Sequence, residues 1–127
     1  MELRVLPQVF SICKISDLAH IDLSLPFIFF AKTDEELSLV CETDLAPAHF
    51  LAREDGWRGF RIQGVLDFSM VGVLAKISSL LAEREISIFA VSTYDTDYFF
   101  TKAETFERAK GALAEDGFTL NDAILIS

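Results

Sequence analysis

Residues 59 to 102 read GFRIQGVLDFSMVGVLAKISSLLAEREISIFAVSTYDTDYFFTK, and this stretch decides the fold. Apolar residues recur at helical spacing from Met70 to Leu81, which predicts an amphipathic helix over 70–84. Ser69 precedes that helix and can cap its first turn through the side-chain hydroxyl. Gly72 lies within the predicted first turn. It indicates either close packing of the helix on a sheet or the approach of a small ligand to the backbone.

Strands and a second helix surround this element. Tyr94-Asp95-Thr96-Asp97 is a polar turn of hairpin length between two runs rich in β-formers. A second helix fits 103–116, where Thr101 and Glu104 have the spacing of a capping box. The predicted strands are 61–66, 86–93, 98–101 and 119–126. The order βαββαβ predicts an α+β, ferredoxin-like sandwich with helices on one face of an antiparallel sheet.

The first half of the chain repeats part of this pattern. Residues 27–41 form an apolar strand, an acidic turn and a second apolar strand, sixty positions before 87–101. Thr33 and Thr93 match in place, and an internal duplication explains the similarity more simply than chance. The sequence therefore predicts two subdomains packed together, 1–58 and 59–127, of which the first is degenerate. In that first subdomain, 16–26 reads as a turn or short helix and 46–54 as a second short helix, followed by a turn at Asp55-Gly56.

Composition limits the class of partner. The 127 residues are 51% hydrophobic and include 12 Phe, which is enough for a dense core. The net charge of −9 disfavours nucleic acid and anionic membrane surfaces as partners. No apolar run reaches the length of a membrane span, and the N-terminus lacks the pattern of a signal peptide. We therefore expect a soluble cytoplasmic protein.

Side chains for catalysis or metal binding are few. His20 and His49 are the only histidines, and His20 lacks a Cys or second His at ligand spacing, so it is read as a loop residue. Cys13 and Cys41 are read as reduced core residues, although a disulfide or a Cys–His pair stays open. No nucleophile elbow, zinc-protease motif or phosphate loop is present. The expected cofactors and metals are none, and the chain is not expected to be an enzyme.

Two acidic residues at the hairpin turn, Asp95 and Asp97, have several interpretations. They can act as a general acid/base pair, hold a cation, hydrogen-bond within a solvated turn, or pair with the ammonium group of a ligand. The sequence alone does not choose among these.

The motifs LDFSMVGVLAKISSLLA and ISIFAVSTYDTDY, with TDEELSLV in the first half, resemble the ACT domain. The detailed pattern is similar to the tandem ACT proteins of bacteria and to the arginine-sensor branch. ACT domains bind free amino acids at seams between domains and often pair. The resemblance therefore implies an amino-acid-binding regulatory module, a homodimer, and a signal passed to a separate regulated protein, because no catalytic domain is attached.

The resemblance also implies a site. The loop entering the first helix supplies Ser69, Met70, Val71 and Gly72, and the following hairpin supplies Thr93, Tyr94, Asp95 and Asp97. Two other hypotheses stay open. One is an interaction or scaffold protein that keeps the fold and binds no ligand, and the other is a small enzyme on a ferredoxin-like frame.

Overall fold

The computed structural model of the chain describes residues 2–63 and 72–122. Its elements follow the order β1 Glu2–Lys14, β2 Ile28–Lys32, β3 Leu37–Glu42, β4 Ala52–Ile62, α1 Val73–Glu83, β5 Ile88–Ser92, β6 Asp97–Lys102, α2 Phe106–Glu115 and β7 Thr119–Asp122. Short 3₁₀ turns cover Thr43–Leu45 and Ala103–Thr105. The chain divides into two compact units. We call Met1–Pro7 with Arg58–Ser127 the C-terminal unit, and Gln8–Trp57 the N-terminal unit. The predicted boundary at 58/59 itself stays a prediction.

The C-terminal unit has an α+β fold with two helices packed on a sheet. Its strands follow the order β7, β1, β4, β6, β5. β5 and β6 are antiparallel, with Phe89 opposite Phe100, whereas β7 pairs with the start of β1 in parallel. The core joins both helices to the strands, and Phe60 stacks on Phe99 with ring centroids 4.7 Å apart.

The N-terminal unit contains strands and turns, and no α-helix occurs among its residues 8–57, all of which are described. Its strand order is β2, β3, β1, β4, with antiparallel pairing of β2 with β3 and of β3 with β1. A small apolar cluster lies on one face. Its buried members are Cys13, Ile15, Leu37, Leu39 and Cys41.

The two hairpins repeat at an offset of sixty residues. β2, β3 and the 3₁₀ turn after them have the same lengths as β5, β6 and their 3₁₀ turn. The register repeats as well, because Ile28 faces Cys41 and Ile88 faces Thr101. The repeat supports the proposed duplication at the level of the hairpin.

The first helix begins later than predicted. α1 starts at Val73, and its N-cap is Gly72 instead of Ser69. Gly72 has φ +90°, a left-handed conformation that no helical residue adopts, so the helix begins after it. Ser69 lies outside the described residues, as do Met70 and Val71.

Three further sequence predictions are wrong. The helix at 46–54 does not form, because Pro47 interrupts it and strand β4 begins at Ala52. Asp55-Gly56 lies within β4 and is no turn. Gly56 adopts φ +83° there without a side-chain penalty. Thr101 caps no helix, because it is fully buried in β6, and α2 begins only at Phe106.

Candidate functional site

The turn that joins β5 to β6 is closed by the threonine at its start. The backbone N–H of Thr93 donates to the carbonyl of Thr96 over 2.8 Å, and the Thr93 hydroxyl donates to the same carbonyl over 3.0 Å. The N–H of Thr96 in turn points to the Thr93 hydroxyl oxygen at 3.4 Å. Thr93 therefore sets the shape of the turn through its side chain as well as its backbone.

The far end of the turn is fixed to β4. Thr96 is buried, and its hydroxyl donates a 2.7 Å hydrogen bond to the carbonyl of Ile62, the last residue of that strand. After Ile62 the chain runs on to Gly72 and helix α1. The turn is thus held against the strand from which the helix-entry segment departs.

The predicted site residues in this turn are accessible. Tyr94 is fully exposed, Asp95 is exposed, and Asp97 is half-buried at the first position of β6, opposite Ser92. Within the described ranges, no Lys, Arg or His side chain forms an ion pair with Asp95 or Asp97. Both carboxylates are therefore available to a cation or an ammonium group.

The N-terminus of α1 offers hydrogen-bond donors. The first helical hydrogen bond runs from the N–H of Lys76 to the carbonyl of Gly72 over 2.8 Å. The N–H groups of Val73, Leu74 and Ala75 therefore have no acceptor within the helix. A Cβ at Gly72 would meet no atom of residues 2–63 and 72–122 within 4 Å. Such a terminus suits a carboxylate.

Two residues near the turn were missed by the sequence reasoning. Thr96 was read only as a turn residue, whereas it anchors the turn to Ile62. Gln63 follows Ile62, and its buried side-chain oxygen finds no hydrogen-bond donor in the part of the chain that the structure describes. The T-x-x-T spacing of Thr93 and Thr96 is the one sequence signal for Thr96, and nothing in the sequence marks Gln63.

The N-terminal unit carries a counterpart of the turn. The N–H of Thr33 donates to the carbonyl of Glu36 over 2.9 Å, as Thr93 does to Thr96. Glu36 is exposed, whereas Thr96 is buried and bonded to a strand. The two turns have the same backbone hydrogen bond, but the β5–β6 turn is also bonded to β4 through the Thr96 side chain.

A cleft of about 270 Å³ in the N-terminal unit is lined by charged side chains of both signs, including Lys14, Glu36 and Arg53. The guanidinium of Arg53 is already engaged, because its Nε donates to Asp55 Oδ1 over 2.6 Å. The buried Ser11 hydroxyl donates to the same oxygen over 2.6 Å. Together these bonds hold the pKa of Asp55 below its usual value. Because these side chains bond to one another, the network is better interpreted as stabilising β4 than as a ligand site.

The cysteines are free thiols in the apolar cluster of the N-terminal unit. Burial raises the pKa of Cys13, and burial together with the neighbouring Cys13 raises the pKa of Cys41 to about 11. Thiols with raised pKa values are poor nucleophiles and poor metal ligands at neutral pH. Across residues 2–63 and 72–122, no three His, Cys, Asp or Glu side chains converge as a metal site.

The sequence profile of the ACT domain matches residues 52–115. The chain belongs to the ACT domain family. Among curated protein sequences, none matches it significantly. In the part of the chain that the structure describes, no helix is long and apolar enough to cross a membrane.

Solved structures agree with this ACT protein in fold. A protein from Agobacterium tumefaciens is 30% identical with a TM-score of 0.85, and the match covers 95% of this chain and 92% of that one. A Vibrio cholerae protein of unknown function, described as a possible transport protein, is 25% identical with a TM-score of 0.72, covering 90% and 88%. The aspartate kinase of Clostridium acetobutylicum, described as an allosteric enzyme, is 12% identical with a TM-score of 0.62. That match covers 85% of this chain and 33% of the kinase, and it shows the fold alone.

Proposed function

We propose that this ACT protein is a regulatory module that binds a free amino acid and has no catalytic activity. One observation carries the proposal. The Thr93–Thr96 turn is bonded to the end of β4, and Asp95 within it and Asp97 directly after it carry carboxylates that form no ion pair with a Lys, Arg or His of the described residues. The ACT family and the fold likeness to an allosteric aspartate kinase support a regulatory role.

The chemistry of a free amino acid suits this arrangement. The ligand carboxylate would accept hydrogen bonds at the N-terminus of α1, and its ammonium group would pair with Asp95 or Asp97. In the proposal, Ser69, Met70, Val71 and Gly72 line the carboxylate side, while Thr93 and Tyr94 flank the ammonium side. Gln63 adds a buried acceptor without a partner, which an ammonium donor would satisfy.

The finer assignment is a tandem ACT protein of the arginine-sensor branch. The hairpin repeat at an offset of sixty supports two ACT-derived halves. We further propose a cytoplasmic homodimer that signals to a separate regulated protein. Two free, buried cysteines agree with a reducing compartment.

The test is a thermal-shift screen of the purified chain against the twenty amino acids at millimolar concentration, followed by calorimetry. A ligand at 100 times its Kd would add about 2.7 kcal/mol to the free energy of unfolding. Asp97→Ala and Asp95→Ala should each weaken binding of the amino acid identified. Glu35→Ala is the matched control, because Glu35 holds the position of Asp95 in the other hairpin and is also exposed.

Two results would change the proposal. If the wild type binds an amino acid and both Asp variants bind it as tightly as Glu35→Ala does, the site lies elsewhere. If no amino acid gives heat or a thermal shift, the scaffold reading replaces this one, since the fold would then be kept without a ligand.

A further inference from the structure

The only two histidines of the chain meet in space in the N-terminal unit. His20 belongs to the segment between β1 and β2, and His49 to the segment between β3 and β4. Their ring centroids lie 6.4 Å apart, with 53° between the ring planes. Both side chains are exposed, so neither ring is held there by burial in the core.

The two rings share a cavity of about 160 Å³. Asp17 and Ser16 line it as well, and Ile15, Ile21 and Pro47 complete its wall. Oδ1 of Asp17 accepts the N–H of Ala19 over 2.9 Å, which fixes the start of the loop that carries His20. Two imidazole side chains therefore line one cavity, and imidazole nitrogens are donors that zinc, nickel and copper prefer.

We propose that His20 and His49 together bind a divalent transition-metal ion of the zinc class. Two imidazoles on one tetrahedral Zn²⁺ place their ring centroids roughly 5 Å apart, because Zn–N bonds are about 2.0–2.1 Å long. The observed separation is 6.4 Å, so the two exposed rings have to approach each other by about 1 Å to bind the ion. No third His, Cys, Asp or Glu of the described residues converges on this point, so water completes the coordination.

Such an ion would join two segments that cover the small core of this unit. Leu18 and Ile21 flank His20, and Ala46 precedes His49. All three pack on the cluster that contains Cys13 and Cys41. No α-helix occurs among residues 8–57, so these two segments pack on the apolar cluster in place of a helix. A metal bridge would therefore reduce the opening that exposes the two thiols.

The proposed metal site uses none of the residues of the proposed amino-acid site, and its residues all belong to the N-terminal unit. The test titrates Zn²⁺ into the full chain by calorimetry, with His20→Asn and His49→Asn as the variants. We expect one ion per chain in the wild type and roughly a hundredfold weaker binding in each variant, since either change removes the chelate. Asp22→Asn is the matched control. It lies in the same loop outside the cavity lining and removes one negative charge, and its affinity should stay within about twofold of wild type.

A second measurement detects the metal bridge through the reaction rate of the two buried cysteines. With Zn²⁺ present, the reaction of Cys13 and Cys41 with a thiol reagent should slow at least about fivefold in the wild type, and should not change in either His variant. The metal-free variants are compared by thermal unfolding to verify that they fold. Absence of heat with millimolar Zn²⁺ would overturn the proposal. So would wild-type affinity in either His variant, or a loss in Asp22→Asn as large as that in His20→Asn, which would mean diffuse attraction to an acidic chain.

Discussion

Gly72 shows how one residue sets the start of a helix. Its φ of +90° is not a helical conformation, so α1 begins at Val73. Among the described residues, no atom lies within 4 Å of the point where a Cβ would be, and the positive φ is the conformation that favours glycine here.

We predict opposite effects for two glycine substitutions. Gly72→Ala should lower the free energy of unfolding by roughly 1–2 kcal/mol, because alanine resists the left-handed conformation. Gly111→Ala should raise it by roughly 0.5–1 kcal/mol. Gly111 lies inside α2, and a Cβ there also meets nothing within 4 Å. Urea unfolding of the three proteins measures both effects, and a destabilised Gly111→Ala would contradict the assignment of α2.

The lowered pKa of Asp55 leads us to predict that the free energy of unfolding depends on pH in the acid range. Hydrogen bonds from Arg53 and then Ser11 lower its pKa in the folded chain. A carboxyl with a depressed folded pKa stabilises the fold above its unfolded pKa of about 3.9, and that contribution is lost as pH falls through the folded pKa. Between pH 5 and pH 3, wild-type stability should therefore fall more steeply than that of Asp55→Asn.

The same pH series on Arg53→Gln separates the causes. Because the bond from Arg53 is the largest contribution to the shift, this variant should lose most of the acid dependence as well. Parallel curves for the wild type and both variants between pH 5 and pH 3 would contradict the network.

At the scale of the element, the hairpins were predictable and the long strands were not. Residues 88–102 place two runs rich in β-formers around a polar turn, a pattern that depends on near neighbours in the sequence. β1 carries Pro7, which usually excludes a strand interior. Pro7 lies between the part of β1 that pairs with β7 and the part that pairs with β3. In β4, Asp55-Gly56 reads as a turn, yet both residues lie within the strand.

The same limit applies to the sites. The resemblance implied a ligand site at Thr93, Tyr94, Asp95 and Asp97, which are close together in the sequence, and that site stays a prediction. The bond from Thr96 to Ile62 and the approach of His20 to His49 depend on tertiary folding, and no local pattern encodes either of them. For the same reason, the buried oxygen of Gln63 becomes visible only in the structure.

The anchoring of the β5–β6 turn gives a prediction for this element. Thr96→Val keeps the shape of the side chain but leaves the buried carbonyl of Ile62 without its donor, which should cost about 1–3 kcal/mol of unfolding free energy. Thr96→Ser keeps the hydroxyl and should recover most of the loss. Chemical denaturation gives the comparison, and equal stability of the valine and serine variants would show that the hydrogen bond contributes little.

At the scale of the whole molecule, net charge and exposed sheet edges have opposite effects on self-association. β2 ends the strand order of the N-terminal unit, and Phe30 on this strand is 49% exposed. β5 ends the order of the C-terminal unit. Edge strands with apolar side chains tend to pair with another chain unless they are protected. A net charge of −9 on each copy opposes that pairing through repulsion.

We therefore predict a homodimer whose stability increases with ionic strength. Symmetric dimers are the commonest oligomers, and salt screens repulsion between two acidic copies over about 10 Å at 0.1 M and about 3 Å at 1 M. Light scattering at tens of micromolar protein should give a larger dimer fraction at 0.5 M than at 0.05 M NaCl.

Phe30→Lys is the diagnostic variant, because it replaces an exposed apolar group on the edge strand with a charge. Tyr94→Lys is its control, since Tyr94 is exposed on a turn instead of an edge. If Phe30→Lys alone shifts the equilibrium toward monomer, the edge of β2 lies in the interface. A wild type that stays monomeric at both salt concentrations contradicts the dimer itself.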